Sequence, residues 1–179
     1  MIAKVFKWAS AYLRVLFWRL RLGSRLQVGK RVYIGKRCHL SGNIRLEDGV
    51  YISNDCVLQA EPGSEICVGA KTFLNLHSKV FAMERVEIGK NTMFGPNVSV
   101  YDHDHDISRG VKHGEKTFVT KPVSIGDYVW CGANAVVTRG SRIENNCVVG
   151  AGAVVCGELK ANGIYVGVPA VRKKEIPTD

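Results

Sequence analysis

The sequence predicts an all-β fold, a parallel solenoid in which short strands are joined by tight corners. One observation behind this is an aliphatic residue at almost every sixth position, and another is a series of smaller residues four positions after each aliphatic one. A period of six matches neither an amphipathic helix, at 3.6 residues, nor a hairpin-connected sheet. Stacked coils of short strands fit the period and place both series in one core.

The aliphatic series runs from residue 28 to residue 155, with short slips at 61–64 and after residue 80 and one long interruption after residue 100. Its members are Val28, Ile34, Leu40, Leu46, Ile52, Leu58, Val68, Leu74, Val80, Ile88, Phe94, Val100, Ile125, Cys131, Val137, Ile143, Val149 and Val155. Four of the six cysteines belong to these two series. They are therefore predicted to be small core residues rather than redox or zinc-binding groups.

Length and charge bound the possible functions. With 179 residues we expect a single folded unit, divided into an N-terminal helix over 1–25, a solenoid over 26–172 with a loop at 104–122, and a tail over 173–179. Residues 1–46 contain eleven Lys or Arg and no acidic residue, which indicates an anionic partner. No nucleic-acid-binding pattern is visible, so nucleic acid is not expected. The cysteine usage and lack of a leader predict a cytoplasmic protein.

The N-terminal segment predicts a basic amphipathic helix. Apolar residues recur at helical spacing, with lysines and arginines along another stripe. One interpretation is a cap over the open first coil, whose strand edge needs protection. The other is peripheral contact with the inner face of a membrane through residues 2–21. The two roles are compatible.

The long interruption is the main indication of an active site. Residues 101–124 replace the repeat and hold three of the five histidines. Long ordered excursions from a regular scaffold are usually functional. In an extended segment His103 and His105 would share one face, with Asp102 on the other. Histidine, with an ordinary pKa of about 6.5, suits a general base for a hydroxyl group.

The hexapeptide pattern over roughly residues 26–172 resembles the left-handed parallel β-helix acyltransferases. Segments 97–103 and 122–132 are similar to their sugar O-acetyltransferase branch, which includes galactoside, maltose and surface-polysaccharide acetyltransferases. The resemblance implies a β-helix of about six coils, a homotrimer, and acetyl-CoA as donor with no metal requirement. It also implies that His103 is the catalytic base, with His105 as the runner-up and Asp102 beside it.

The remaining site residues follow from the same resemblance and from the clustering of positive charge. The expected oxyanion donors are the backbone N–H groups of Gly132 and Ala133. The expected acceptor-binding residues are Asn75, His77, Lys112 and Lys116. The expected CoA-binding residues are Trp130, Ala133, Gly150, Ala151, Pro169, Arg172, Lys173 and Lys174. For Asn75, capping of a solenoid corner is an equally good interpretation.

The sequence is also compatible with other functions. N-acetylation of a nucleotide-linked amino sugar and acetylation of an antibiotic would use the same fold and base. The Asp-His-Asp-His-Asp run at 102–106 also suggests an open zinc site, although the spacing of two histidines five residues apart, which β-helix zinc hydratases use, is absent. A solenoid that only binds a ligand is the non-catalytic alternative.

Overall fold

The computed structural model describes residues 2–108, 110 and 117–177, with side chains described from residue 9 onward. The described chain begins with one α-helix, α1 (Ile2–Leu22), and a 3₁₀ turn (Gly23–Arg25), after which short strands follow. In chain order these are β1 (Leu26–Val28), β2 (Tyr33–Ile34), β3 (His39–Ser41), β4 (Asn43–Leu46), β5 (Tyr51–Ile52), β6 (Val57–Ala60), β7 (Glu65–Val68), β8 (Phe73–Leu74), β9 (Lys79–Ala82), β10 (Arg85–Ile88), β11 (Met93–Phe94), β12 (Ser99–Tyr101), β13 (His103–His105), β14 (Phe118–Thr120), β15 (Val123–Ile125), β16 (Trp130–Cys131), β17 (Val136–Val137), β18 (Arg142–Ile143), β19 (Val148–Val149), β20 (Val154–Val155), β21 (Glu158–Leu159), β22 (Gly163–Val166) and β23 (Val171–Glu175).

Three parallel sheets form the sides of a solenoid, which confirms the predicted architecture. The first sheet contains β1, β4, β7, β10, β15, β18 and β21, and the third contains β3, β6, β9, β12, β17 and β20. The second contains β2, β5, β8, β11, β16, β19 and β22, with β23 antiparallel at its end. The described residues therefore make six complete coils and a seventh with two sides, in agreement with the predicted number of about six.

The aliphatic series forms the core because its members align from coil to coil. Leu46, Val68 and Ile88 are successive register partners in the first sheet. Their side chains are almost wholly buried, as are the equivalent positions of the other two sheets from the second coil onward. The excursion does not disturb this order, since Ile88 pairs directly with Ile125 on the far side of it.

Helix α1 lies over the open edge of the first coil. Its side chains Val15, Trp18 and Leu22 join the hydrophobic core. Arg14 Nε donates to the carbonyl of Ile34 at 2.6 Å, and Arg19 donates to that of Val28 at 2.8 Å. The equivalent carbonyls of the second coil, those of residues 52 and 46, accept N–H groups from the first coil. No coil precedes the first one, so the two arginines supply the hydrogen-bond donors that its carbonyls would otherwise lack.

The stripe that packs on the solenoid differs from the apolar stripe recognised in the sequence. The apolar stripe of the sequence comprises Ile2, Val5, Phe6, Ala9, Tyr12, Leu13, Leu16, Phe17 and Leu20. Its leucines are exposed, whereas Val15 and Trp18, which lie outside the stripe, are buried against the solenoid. Periodicity alone does not say which face of the helix meets the core, because α1 carries two apolar faces. Within the described part of the chain, no helix has the length and apolar character needed to cross a membrane.

Candidate functional site

The interruption of the repeat forms an outward hairpin at the corner between the third and first sheets, which we call the third corner. The chain leaves the third sheet after β12 and returns at β15, and β13 pairs with β14 in antiparallel fashion. Lys121 N–H donates to the carbonyl of Asp102 and closes the base of the hairpin. Arg109 and residues 111–116, which include Lys112 and Lys116, lie outside the described residues.

Asp102 is buried at the root of this hairpin. Its carboxylate accepts the backbone N–H groups of Met83, Glu84 and Arg85 at 2.7–2.8 Å for the shortest contact of each. The side chain has no exposed surface. Three N–H donors fix the carboxylate in position, which makes it a rigid partner for the next residue along the chain.

His103 is that next residue. Its Nδ1 lies 3.1 Å from Asp102 Oδ1, and its side chain is 18% exposed. Tyr101 and Phe118 flank the imidazole, each with its ring roughly perpendicular to it. A carboxylate is an acceptor only, so Nδ1 carries the proton and Nε2 keeps a lone pair. This tautomer, assigned from the hydrogen bond, is the one that a general base requires.

His105 lies on the same face of β13 as His103, as predicted, since both rings contact Phe118. It is exposed, and among the described residues no carboxylate contacts its imidazole. On the opposite face Asp104 Oδ2 accepts Arg139 Nε at 2.8 Å, which ties the hairpin to the fifth coil. Of these two histidines, His103 alone has a carboxylate partner among the residues that the structure describes, and that partner fixes its tautomer.

The predicted donor residues stack in one row at the corner between the second and third sheets, which we call the second corner. The row comprises Gly132 and Ala133 in the fifth coil, Gly150 and Ala151 in the sixth, and Gly167, Val168 and Pro169 in the seventh. We call it the donor row. Trp130 precedes it on β16, with 51% of its surface exposed. The Gly and Ala members of the row have small side chains or none, and every member except Gly132 is at least partly exposed, which suits an extended ligand.

One of the two expected oxyanion donors, the N–H group of Gly132, is already bonded within the solenoid. Gly132 N–H donates to the carbonyl of Val149 at 2.7 Å and is occupied by coil stacking. Its lack of a side chain also has a packing reason, because a Cβ there would lie 2.6 Å from Ala151 N. The N–H groups of Ala133 and Ala151 have no hydrogen-bond partner among the described residues. Ala133 is thus the better candidate donor.

Asn75 and His77 lie on the second corner, in line with the donor row, and not on the third corner with His103. Successive corners are joined by hydrogen bonds, such as that from His77 N–H to the carbonyl of residue 54 and that from Asn97 N–H to the carbonyl of residue 76. Within one chain, Asn75 and His77 therefore do not share a site with His103. Asn75 Oδ1 accepts the N–H of Leu76 at 2.8 Å, which supports the corner-capping interpretation.

The base and the donor row are on opposite edges of the third sheet. The strands of that sheet, with their flanking residues, span roughly 15 Å, about five extended residues. A thioester bound along the donor row of one chain would therefore be out of reach of His103 in the same chain. The two halves of the predicted site can meet only if corners of two chains come together.

The basic residues after the donor motif have different environments. Arg172 donates to the carbonyls of Ala161 and Asn162 and is thereby held on the last coil. Lys173 and Lys174 are exposed on β23. These two lysines, rather than Arg172, are the cations available to a phosphate group.

The residues of this region also bear on two other kinds of site, a reactive thiolate and a metal centre. Burial raises the pKa of the Cys131 thiol, next to Trp130, to about 12, so it is not a thiolate at neutral pH. Among the residues that the structure describes, no three His, Cys, Asp or Glu side chains are grouped as metal ligands would be.

Comparison with known proteins agrees with the fold. The profile of the family described as bacterial transferase hexapeptide (six repeats) matches residues 122–157. A Dictyostelium discoideum protein named as an acetyltransferase is 36% identical over 129 residues, which cover 72% of this chain and 67% of that protein. Galactoside O-acetyltransferase of Escherichia coli is 32% identical over 115 residues, covering 64% of this chain and 56% of the relative.

A mutant N-acyltransferase from Bacillus cereus, in complex with dTDP and coenzyme A, has a similar structure. Its TM-score is 0.76 with 22% identity, and the match covers 84% of each chain. At this identity the likeness concerns the fold alone. The chain spans about half the length of several curated relatives that it matches.

Proposed function

The chain belongs to the hexapeptide-repeat acyltransferase family, and we propose that it transfers an acetyl group from acetyl-CoA to a hydroxyl of a sugar. The observation that carries the proposal is the contact between Asp102 and His103 Nδ1 at the single long break of the repeat. A hydroxyl needs a base at that place, and His103 has a partner that holds it in the basic tautomer.

The reaction is a direct transfer without an acyl-enzyme. Nε2 of His103 takes the proton of the sugar hydroxyl while the oxygen attacks the thioester carbonyl. The tetrahedral oxyanion accepts the N–H of Ala133. When it collapses, the carbon–sulfur bond breaks, and the thiolate of CoA takes the proton from the imidazolium. The Asp102 carboxylate stabilises the positive imidazole between the two proton transfers.

The same proposal includes a homotrimer whose sites lie between neighbouring chains. Support comes from the separation of His103 from the donor row, because one chain supplies only half of a site. Mixing two inactive variants, His103→Ala and Ala133→Pro, tests this idea after the subunits are exchanged. About one quarter of the sites in a random 1:1 mixture would take both intact halves, so about a quarter of the activity should return. Recovery of no activity in verified mixed trimers, or an active monomer in sedimentation, would contradict it.

Activity itself is tested by screening sugars, nucleotide sugars and lipid-linked sugars with acetyl-CoA while following free thiol. We expect acceptor-dependent thiol release that is lost in His103→Ala. Release that no hydroxyl-bearing sugar stimulates would contradict the proposal.

N-acetylation of a nucleotide-linked amino sugar is the second candidate, because the structural relative from Bacillus cereus is an N-acyltransferase bound to dTDP. The product separates the two, since hydroxylamine cleaves an O-acetyl ester and leaves an amide intact. We further propose a cytoplasmic protein in surface-polysaccharide biosynthesis that contacts the inner face of the membrane through residues 2–21.

A further inference from the structure

Helix α1 presents a second apolar face that the solenoid does not cover. Leu13, Leu16 and Leu20 each precede a buried residue of the helix by two positions. Two residues are about 200° around an α-helix, so these leucines point away from the coil on which the helix packs. Tyr12 and Phe17 extend the same face and are also at least half exposed. We call these five residues the outer face of α1.

The outer face is too apolar for an ordinary solvated helix surface. Its leucines are 64%, 42% and 79% exposed in the order Leu13, Leu16 and Leu20. Together with the two aromatic rings they form a continuous patch on the order of a few hundred Å², the size that marks interaction sites on protein surfaces. A cap alone would require only the inner face, so the outer face needs a separate explanation.

Positive charge surrounds this patch. Arg14 and Arg21 flank it on one side of the helix and Arg19 on the other. The exposed cations at this end of the solenoid are Arg19, Arg21, Arg25, Lys30, Arg31, Lys36 and Arg37. Asp55 forms a two-point ion pair with Arg37 and so neutralises one of these cations. No Asp or Glu occurs before Glu47, so helix α1 itself carries only positive charge among its ionisable side chains.

We infer that the outer face of α1 docks on an anionic lipid bilayer, with the helix lying in the plane of the interface. An apolar strip between rows of cations matches acyl chains below and anionic headgroups beside them. Because the inner face stays on the first coil, the solenoid stands on the membrane by its N-terminal end. A second protein copy would satisfy the apolar patch but would bring like charges together.

The docking adds a membrane-contact surface to the proposed function, and its strength rests on the proposed homotrimer. Rotation about a threefold axis keeps all three N-terminal ends on the same side of a trimer when the solenoids run along that axis. Three outer faces would then meet one bilayer together, and binding by all three is far tighter than binding by one. Acetyl transfer would take place at a fixed height above the headgroups, which suits a lipid-linked sugar.

Vesicle co-sedimentation of the full chain tests the docking. We expect binding to vesicles of phosphatidylcholine with about 30% phosphatidylglycerol, weaker binding to phosphatidylcholine alone, and partial loss in high salt. The variant Leu13→Gln with Leu20→Gln should bind at least about tenfold more weakly, because two leucines no longer enter the apolar layer. Both positions are exposed and glutamine is a good helix former, so thermal unfolding should not change.

Two controls separate the face from general surface effects. Tyr128→Asn removes an apolar side chain that is 59% exposed in the fifth coil, where a φ of 57° suits asparagine, and should leave vesicle binding unchanged. Arg21→Gln with Arg25→Gln should weaken binding at low salt by about fivefold for each cation. Lys71→Gln, which removes one charge from the middle of the solenoid, should have little effect.

The outcomes distinguish this inference from the proposed activity. Wild-type protein that acetylates a water-soluble acceptor and ignores anionic vesicles would overturn only the docking. Wild-type protein that binds vesicles and releases no thiol with any acceptor would overturn only the activity. If the Leu13→Gln and Leu20→Gln variant binds vesicles as wild type does, the outer face is not the contact. If that variant instead sediments as a smaller assembly than the wild type, a second copy covers the face and the inference is wrong.

Discussion

Replacing Asp102 by asparagine tests the arrangement of the site most directly. The amide has nearly the same shape, but one acceptor oxygen becomes an NH₂ group. If the remaining oxygen keeps the N–H groups of Glu84 and Arg85, the NH₂ faces Met83 N–H and His103 Nδ1. A donor then opposes the Met83 donor, and His103 must accept at Nδ1. The histidine would carry its proton on Nε2 and lose the lone pair needed for catalysis.

The structure sets the size of both effects. The Met83 N–H group loses its 2.8 Å acceptor and keeps only a 3.1 Å contact with the other oxygen, which costs about 1–3 kcal/mol, and the other bonds lose charge assistance, about 1 kcal/mol each. We therefore expect Asp102→Asn to lower the free energy of unfolding by about 3–5 kcal/mol and to remain folded. The catalytic loss should be about 10²- to 10⁴-fold in kcat/KM, the usual effect of a misplaced or missing general base.

Thiol release from acetyl-CoA measures the second effect, and thermal unfolding followed by circular dichroism measures the first. Asp102→Asn combined with His103→Ala should be no slower than His103→Ala alone, because both changes remove the same proton acceptor. A folded Asp102→Asn protein with nearly wild-type kcat/KM would refute the role of the carboxylate. Losses that multiply in the double variant would show that the two residues act independently.

Three further predictions concern the other parts of the molecule. His103→Ala should lower the transfer rate by at least about 10²-fold, and His105→Ala much less, because Asp102 fixes the tautomer of His103; the opposite ranking in steady-state assays would identify His105 as the base. Lys173→Gln with Lys174→Gln should raise the KM for acetyl-CoA with little change in kcat, as loss of uniform binding does; an unchanged KM would exclude these lysines from the phosphate site. Arg19→Gln should lower the free energy of unfolding by about 1 kcal/mol, since an edge carbonyl loses its donor; unaltered chemical denaturation would show that water replaces it.

The fold could be predicted from the sequence because the solenoid repeats a single local rule. Every coil must bury an aliphatic residue on each side, so the period itself carries the architecture. Ile88 and Ile125 are 37 positions apart and still pair directly, since an excursion from a corner leaves the coils above and below in register. The packing of the helix was harder to predict, because α1 has two apolar faces and either one alone fits an amphipathic pattern.

The site was only partly predictable. The break in the repeat identified the Asp102 and His103 segment, but not the three donors that hold the carboxylate, which lie 17–19 positions earlier in the chain. Such contacts depend on the number of residues in each coil, and the slip after Val80 shifts that number. The same dependence decides that Asn75 lies on a different corner from His103. A count of coils gives the height of a residue along the solenoid, but its corner depends on every inserted residue before it.

The hairpin and the buried Asp102 carboxylate are linked by one feature of the fold. In the regular solenoid each coil donates N–H groups to carbonyls of the next, as Glu61 N–H does to the carbonyl of Ala82. The fourth coil leaves its path at the third corner, so residues 83–85 lack the carbonyls that a regular corner would provide. Asp102 supplies the missing acceptors, and its two oxygens serve all three N–H groups. A chain that inserts a hairpin here needs hydrogen-bond acceptors at its root, and the residue that supplies them, Asp102, adjoins the first hairpin residue, His103. The carboxylate that stabilises the root of the hairpin therefore also orients His103, which places the proposed base at the break of the repeat rather than on a regular side of the solenoid.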